Sequence, residues 1–392
     1  MTELVKWDEL SVMIAEADDI TTLKEFTDKL EALRILAKQS KESLETQNRI
    51  AEYRLKVERK KGSWLDENMP RGALPGSNNK NGVRTSRLTL ENIGVTRNES
   101  SRARKLAAMP EADFEEFLTL CREGNHEITL KGAASAAFRS QRRYEQDVRI
   151  EATKILSIDS SLILGESSEE ISKLEDQSVN CYLIDPPYGV EWLGGRWGVE
   201  GVPSKFVKDK KYHDEIINDD LEGALRVLDE SLKAVHPKLK DGSQVYIFTA
   251  WQTYSHFERI VKKYFDLKNV LIWVKDKHGV GDCFGNFGNQ YEMIIFASKG
   301  KTTWCSDKRP VNVLYAPKIT SRLHPTEKPV ELLKQLITIA TVEGEVVLDS
   351  FAGVASTLVA AKECGRRYIG VELSEEYWEK GQRRLGENGE TE

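Results

Sequence analysis

The chain has 392 residues, with 57 Lys or Arg against 63 Asp or Glu for a formal net charge of −6, and 40% hydrophobic residues. That length suits two or three folding units rather than one core. No apolar run reaches bilayer-spanning length and no signal-peptide pattern opens the chain, so a cytoplasmic location is expected. The cysteines are scattered without a Cys-x-x-Cys pair and there is no His-Glu-x-x-His, so neither a disulfide framework nor a metal site is indicated.

In chain order, residues 1–68 read as helix, because apolar positions such as Leu23, Phe26, Leu30, Leu33 and Leu36 recur at three- and four-residue spacing. A helical hairpin or coiled coil is expected, and it offers a surface for a homodimer. Residues 69–84, rich in Gly and Asn, read as a linker. The net charge hides a basic block: residues 59–105 hold eleven Lys or Arg against four Asp or Glu, a candidate for phosphate contact. Residues 85–148 return to helical patterning. Within them Gly94-Val95-Thr96-Arg97-Asn98-Glu99-Ser100-Ser101-Arg102 reads as a helix-turn-helix: a first helix ends at Gly94 and a second starts near Thr96 or Asn98. Arg97, Ser100, Ser101, Arg102 and Lys105 would then face a DNA groove. The segment resembles the DNA-binding helical part of partition-type and phage-encoded proteins.

From about residue 150 apolar strands alternate with helices, as in a mostly parallel sheet covered on both faces. Strands are expected at 179–185, 244–249, 270–275, 292–297, 346–349 and 367–372. The fold class is therefore α/β, a Rossmann-like domain preceded by an all-α region, with ligands at the carboxyl ends of the strands. The first of these strands runs into Asp185-Pro186-Pro187-Tyr188. An exocyclic amine is a poor nucleophile because its lone pair is delocalised. A carboxylate (Asp185) and a carbonyl (Pro186) can accept its two hydrogens and localise that pair. Pro187 stiffens the turn, and Tyr188 offers a face for an extruded base. Read blandly, Asp-Pro at a strand end is a turn starter.

The loop after the tetrapeptide carries Trp192, Arg196 and Trp197, placed to close over such a base or to pack as a local core. Near the other end, the strand at 346–349 leads through Ser350-Phe351-Ala352-Gly353-Val354-Ala355-Ser356-Thr357 into an apolar helix. Such a small-residue turn admits a ligand close to backbone N–H groups. One βα unit later, Glu372 stands where ribose hydroxyls are gripped.

Taken together these residues resemble the S-adenosylmethionine-dependent DNA amino-methyltransferases, in the permuted class whose catalytic tetrapeptide precedes the cofactor loop. Further matches are Ile272-Trp273-Val274-Lys275, the strand at 292–296 and His324-Pro325-Thr326-Glu327-Lys328-Pro329. The resemblance implies direct in-line transfer from S-adenosyl-L-methionine, without a covalent intermediate. It implies catalytic roles for Asp185, Pro186, Pro187 and Tyr188, and cofactor binding by Asp349, Phe351, Ala352, Gly353, Thr357, Glu372, Thr326, Lys328, His324 and Glu166. Trp192 and Arg196, in the loop after the tetrapeptide, are candidates for DNA contact; the transferase domain is expected over 150–388, and the resemblance places a target-recognition insert at 276–322.

The family loop usually reads Asp-Pro-Phe-x-Gly-Ser-Gly; here Ser350, Val354 and Ala355 depart from it. Ala355 is expected to be helical already, since alanine is costly at positive φ. Aspartate at position 185 favours adenine N6 in double-stranded DNA. Cytosine N4 keeps the chemistry, RNA or a glutamine amide changes the substrate, and a non-catalytic DNA-binding regulator is the third alternative.

Overall fold

The computed structural model describes residues 6–69, 89–154, 159–190, 218, 220–278, 287–306, 309–319 and 327–387. Most of the expected linker, together with Trp192, Arg196, His324, Thr326 and parts of the 276–322 insert, lies outside them. The chain forms two compact units, Met1–Glu145 and Gln146–Glu392.

The first unit is helical: α1 (Trp7–Glu16), α2 (Ile20–Gln39), α3 (Leu44–Asn68), α4 (Arg97–Ala107), α5 (Glu111–Glu123) and the start of α6 (Leu130–Thr153). Asp19 caps α2 through Thr22 N and Ser43 caps α3 through Thr46 N, each satisfying an orphan donor of the first turn. Leu23, Phe26 and Leu30 of α2 pack against Ile50, Tyr53 and Val57 of α3. Leu36 falls off the stripe and is 47% exposed. The opposite face of α3, with Ala51 and Leu55, buries Leu106, Phe114, Leu118 and Ile128 of the following segment. A Cβ added at Gly62 would collide with the Ala103 carbonyl, so glycine sets the close approach of α3 and α4.

The helix-turn-helix reading needs correction here. Residues 90–94 form a turn rather than a first helix, closed by Gly94 at φ 64. The second helix does form. Thr96 and Glu99 make a reciprocal capping box at the start of α4.

The second unit is an eight-stranded sheet in the order β1 (Ser161–Leu164), β8 (Arg367–Glu372), β7 (Val346–Asp349), β2 (Val179–Ile184), β3 (Leu239–Thr249), β5 (Tyr291–Ser298), β4 (Asp266–Val274), β6 (Val313–Tyr315). Every pairing is parallel except those of β5, which is antiparallel to both neighbours. Its helices are α7 (Ser167–Ser172), α8 (Leu221–Lys238), α9 (Tyr254–Tyr264), α10 (Val330–Ala340), α11 (Ser356–Glu363) and α12 (Glu375–Glu387).

All six residues of β2 are buried, as a strand covered on both faces requires. Tyr182 and Ile184 join Leu228 and Leu232 of α8 and Phe257 of α9 on one face. Cys181 and Leu183 join Leu333, Leu336 and Ile337 of α10 on the other.

From β7 the chain moves through α11 to β8 on one side; from β2 it moves to β3 on the other. The carboxyl ends of β2 and β7 thus flank a topological switch point, where open α/β sheets bind ligands. Their register, Tyr182 opposite Leu348, brings Asp185 level with the loop that begins at Ser350. Strand β6 has three residues and was not expected from the sequence, since a run that short carries no periodic signal. Among the described residues, no helix is long and apolar enough to cross a membrane.

Candidate active site

Asp185 follows the last residue of β2, and both of its oxygens are engaged. Tyr188 donates its hydroxyl to Oδ1 at 2.6 Å, and Lys328 donates Nζ to Oδ2 at 2.5 Å. Lys328 precedes α10 and its side chain is only 6% exposed. A second carboxylate, Glu292 at the start of β5, lies 3.5 Å from Lys328 and accepts a bond from Lys275 at 2.6 Å. Asp185, Lys328, Glu292 and Lys275 therefore alternate in sign along one chain of contacts. The Lys328 ammonium also lies 5.4 Å from the Tyr188 ring centroid and 5.0 Å from that of Phe248, within cation–π range.

These neighbours set the charge states. Burial pushes the Asp185 carboxyl above its ordinary value; Lys328 opposes that rise and Glu292 adds to it. Burial acts the same way on Glu292, but Lys328 and Lys275 outweigh it and hold the group below the usual carboxylate range. For Lys328, burial opposes the charged form, yet Asp185 and Glu292 together keep its pKa above the ordinary lysine value. Lys328 is thus a charged lysine in a nearly dry site.

The loop in which cofactor contacts are expected follows the end of β7. Asp349 is 3% exposed, accepts a bond from Phe351 N at 3.0 Å, and is pushed up to about 7, chiefly by burial. Gly353, at φ 51, points its missing side chain into space with no atom of the other described residues within 4 Å. Its N–H donates to Glu372 Oε2 at 2.7 Å, while Glu372 Oε1 accepts from Ser374 N at 2.8 Å. Glu372 therefore sits at the end of β8 beside an open cradle. Glu166 caps α7, its Oε2 accepting bonds from Ser168 and Glu169 N. Thr357 is buried in the first turn of α11.

At Ala355 the sequence-based expectation fails. The residue is left-handed, φ 64 and ψ 28, and α11 starts only at Ser356. An alanine in this conformation costs roughly 1–2 kcal/mol. Its methyl is fully buried against Leu162, Leu358 and Leu385, which offsets part of that cost. Gly381 of α12 leaves room for it: a Cβ there would lie 3.2 Å from the Ala355 Cβ.

On α4, Arg97, Ser101 and Lys105 are exposed and Arg102 is half-buried. Ser100 is not available to a groove. It is 5% exposed and accepts a bond from Arg104 Nε at 3.3 Å, because it lies on the inward face of the helix.

Residues 179–383, more than half of the chain, match a family model described as DNA methylase that covers N6 and N4 enzymes. The chain belongs to this DNA methylase family. It is 26% identical over 260 residues to the DNA adenine methyltransferase YhdJ of Escherichia coli K12, covering 57% of this chain and 82% of that one. It is 25% identical over 249 residues to the type II methyltransferase M2.DpnII of Streptococcus pneumoniae, covering 59% and 91%. A solved structure, the M1.HpyAVI–SAM complex, is similar with a TM-score of 0.43 and 21% identity over 57% of this chain and 98% of that one. Family members are DNA methyltransferases that take their methyl group from S-adenosylmethionine.

Within this methylase, the fold brings together Asp185, Tyr188, Lys328 and the loop from Asp349 to Gly353. Sequence reasoning quoted Lys275 and the strand holding Glu292 only as family matches, and did not join them or Phe248 to Asp185 and Lys328. Glu292 did leave a trace, as an acid opening an otherwise apolar strand.

Proposed function

We propose that the chain transfers a methyl group from S-adenosylmethionine to the exocyclic N6 of adenine in a specific duplex DNA sequence. The observation that carries this reading is Asp185 at the carboxyl end of β2, level with the open glycine cradle that follows β7. The relative YhdJ, named a DNA adenine methyltransferase, supports the choice of base.

The residues present fit the donor. Gly353 borders open space, Glu372 offers a carboxylate at the end of β8, and Lys328 offers a buried ammonium. Asp349, Phe351, Ala352, Gly353, Thr357 and Glu372 would hold it with Lys328; by the resemblance His324, Thr326 and Glu166 contribute. When bound, it supplies an electrophilic methyl group on a sulfonium.

Asp185 and the Pro186 carbonyl accept the two amine hydrogens, directing the nitrogen lone pair at the methyl. The amine becomes more acidic only once it carries positive charge, so Asp185 orients rather than abstracts. The catalytic gain is therefore mostly positioning. Lys328 favours the ionised form of Asp185 despite its burial. The Tyr188 ring stacks on the flipped base, whose extrusion costs a few kcal/mol.

DNA contact is assigned to Arg97, Ser101, Arg102 and Lys105 of α4, together with Trp192 and Arg196. A homodimer through the N-terminal helices would use the exposed Val12, Met13, Ile35 and Leu36.

The test is incubation with methyl-labelled S-adenosylmethionine and unmethylated mixed-sequence duplex DNA, followed by nucleoside analysis, with Asp185→Ala alongside. Label in N6-methyldeoxyadenosine that is lost in the variant supports the reading. Label in N4-methylcytosine replaces the base, and a wild-type protein that binds no cofactor overturns the reading.

A further inference from the structure

We infer that the hydroxyls of Tyr182, Ser231 and Ser350 form a positioning triangle that anchors the cofactor loop to the catalytic strand. This deepens the methyltransferase reading and rests on it. Tyr182 Oη lies 2.5 Å from Ser350 Oγ and within hydrogen-bond reach of Ser231 Oγ, and the two serine oxygens are 3.1 Å apart. The three residues are 0–2% exposed. Each hydroxyl has one proton to give, so a cyclic arrangement lets each donate once and accept once. No member can be removed without leaving the others under-bonded in the core.

Its placement distinguishes it from ordinary core satisfaction. Tyr182 stands three residues before Asp185 on β2, Ser231 lies in the middle of α8, and Ser350 is the first residue of the loop that follows Asp349. The Ser350 carbonyl is held a second time, accepting a bond from Ser167 Oγ at 2.5 Å. The loop root is thus tied on its side chain to the strand that delivers Asp185 and on its backbone to α7. Beyond it, the N–H groups of Phe351, Ala352 and Gly353 donate to Asp349, to the Val371 carbonyl and to Glu372. Ser350 is one of the positions where this loop departs from the family pattern. A serine leaves its own φ free, so its restraint has to come from side-chain contacts.

The experiment compares wild type, Tyr182→Phe, Ser231→Ala and the triple variant Tyr182→Phe/Ser231→Ala/Ser350→Ala. It reads amide hydrogen exchange at 351–353 in cofactor-free protein, S-adenosylmethionine affinity by calorimetry, and thermal stability. Each single variant is expected to speed exchange at 351–353 and to weaken cofactor binding about fivefold, the worth of one net hydrogen bond. KM for the cofactor should rise more than kcat falls.

The triple variant leaves no buried hydroxyl unpaired and so should recover stability. If the triangle positions the loop, exchange at 351–353 stays fast and cofactor affinity stays weak. Recovery of loop protection and affinity along with stability overturns the proposal, as do single variants with wild-type exchange at 351–353. Wild-type protein that binds no cofactor would overturn the methyltransferase reading instead, and the exchange measurement would still decide the triangle.

Discussion

Lys328 donates to Asp185 at 2.5 Å although 143 positions of chain separate them. With Tyr188 on the other oxygen, the carboxylate that should receive the adenine amine is already doubly engaged. Each oxygen keeps a further lone pair for that amine, and by the resemblance the Lys328 ammonium also faces the methionine end of the cofactor. Lys328→Met is expected to weaken S-adenosylmethionine binding at least tenfold, the scale of losing one charge-assisted contact. Calorimetry checks this, and unchanged affinity would remove Lys328 from the cofactor's contacts.

The pH profile should move in opposite directions for two neighbours of Asp185. Lys328 lowers the Asp185 pKa and Glu292 raises it. Removing Lys328 therefore moves the acid limb of kcat/KM to higher pH, because Asp185 then protonates sooner as pH falls. Glu292→Gln moves the same limb to lower pH. Shifts of the same sign would show that Asp185 does not govern that limb.

Asp349, raised to about 7 by burial, makes stability fall with pH. Between about pH 4 and pH 7 the unfolded carboxylate has lost its proton while the folded one keeps it. Stability declines across that window and levels off above it, by on the order of 4 kcal/mol. Asp349→Asn retains an acceptor for Phe351 N and removes the ionisation. Its Tm should exceed that of wild type at pH 8 and match it near pH 4; a constant difference across both would refute the assignment.

Ala355 and Gly381 should be energetically coupled. Gly381→Ala brings a methyl within 2.8 Å of Leu162 and 3.2 Å of the Ala355 Cβ, an overpacking that costs about 1–3 kcal/mol. In an Ala355→Gly background the cost should be smaller. Ala355→Gly alone exchanges relief of left-handed strain for loss of a buried methyl, two effects of about 1 kcal/mol each that nearly cancel. Urea titrations of the four proteins measure the coupling, and strict additivity would count against it.

Substitutions on α4 separate the two faces of that helix. Arg97→Ala and Lys105→Ala should weaken binding to duplex DNA of any sequence and each reduce the salt dependence by about one ion. Ser100→Ala should leave DNA affinity unchanged, since the side chain faces inward. Fluorescence anisotropy at several salt concentrations decides between this and a helix that takes no part in binding.

The sequence by itself determined the strands that carry the chemistry, because β2, β7 and β8 are local apolar runs and the tetrapeptide at 185–188 directly follows one of them. It also determined the apolar stripe of α2, where the spacing of Leu23, Phe26 and Leu30 is a property of neighbouring residues. Only tertiary structure decided that Glu292 and Lys275 join Asp185 and Lys328, since that charge chain depends on β5 pairing antiparallel to β4. It also decided that Ala355 is left-handed, against alanine's own preference, with Gly381 on another helix leaving room for its methyl. Periodicity and propensity act over a few residues, whereas charge pairing and close packing act through space between segments that the chain keeps far apart.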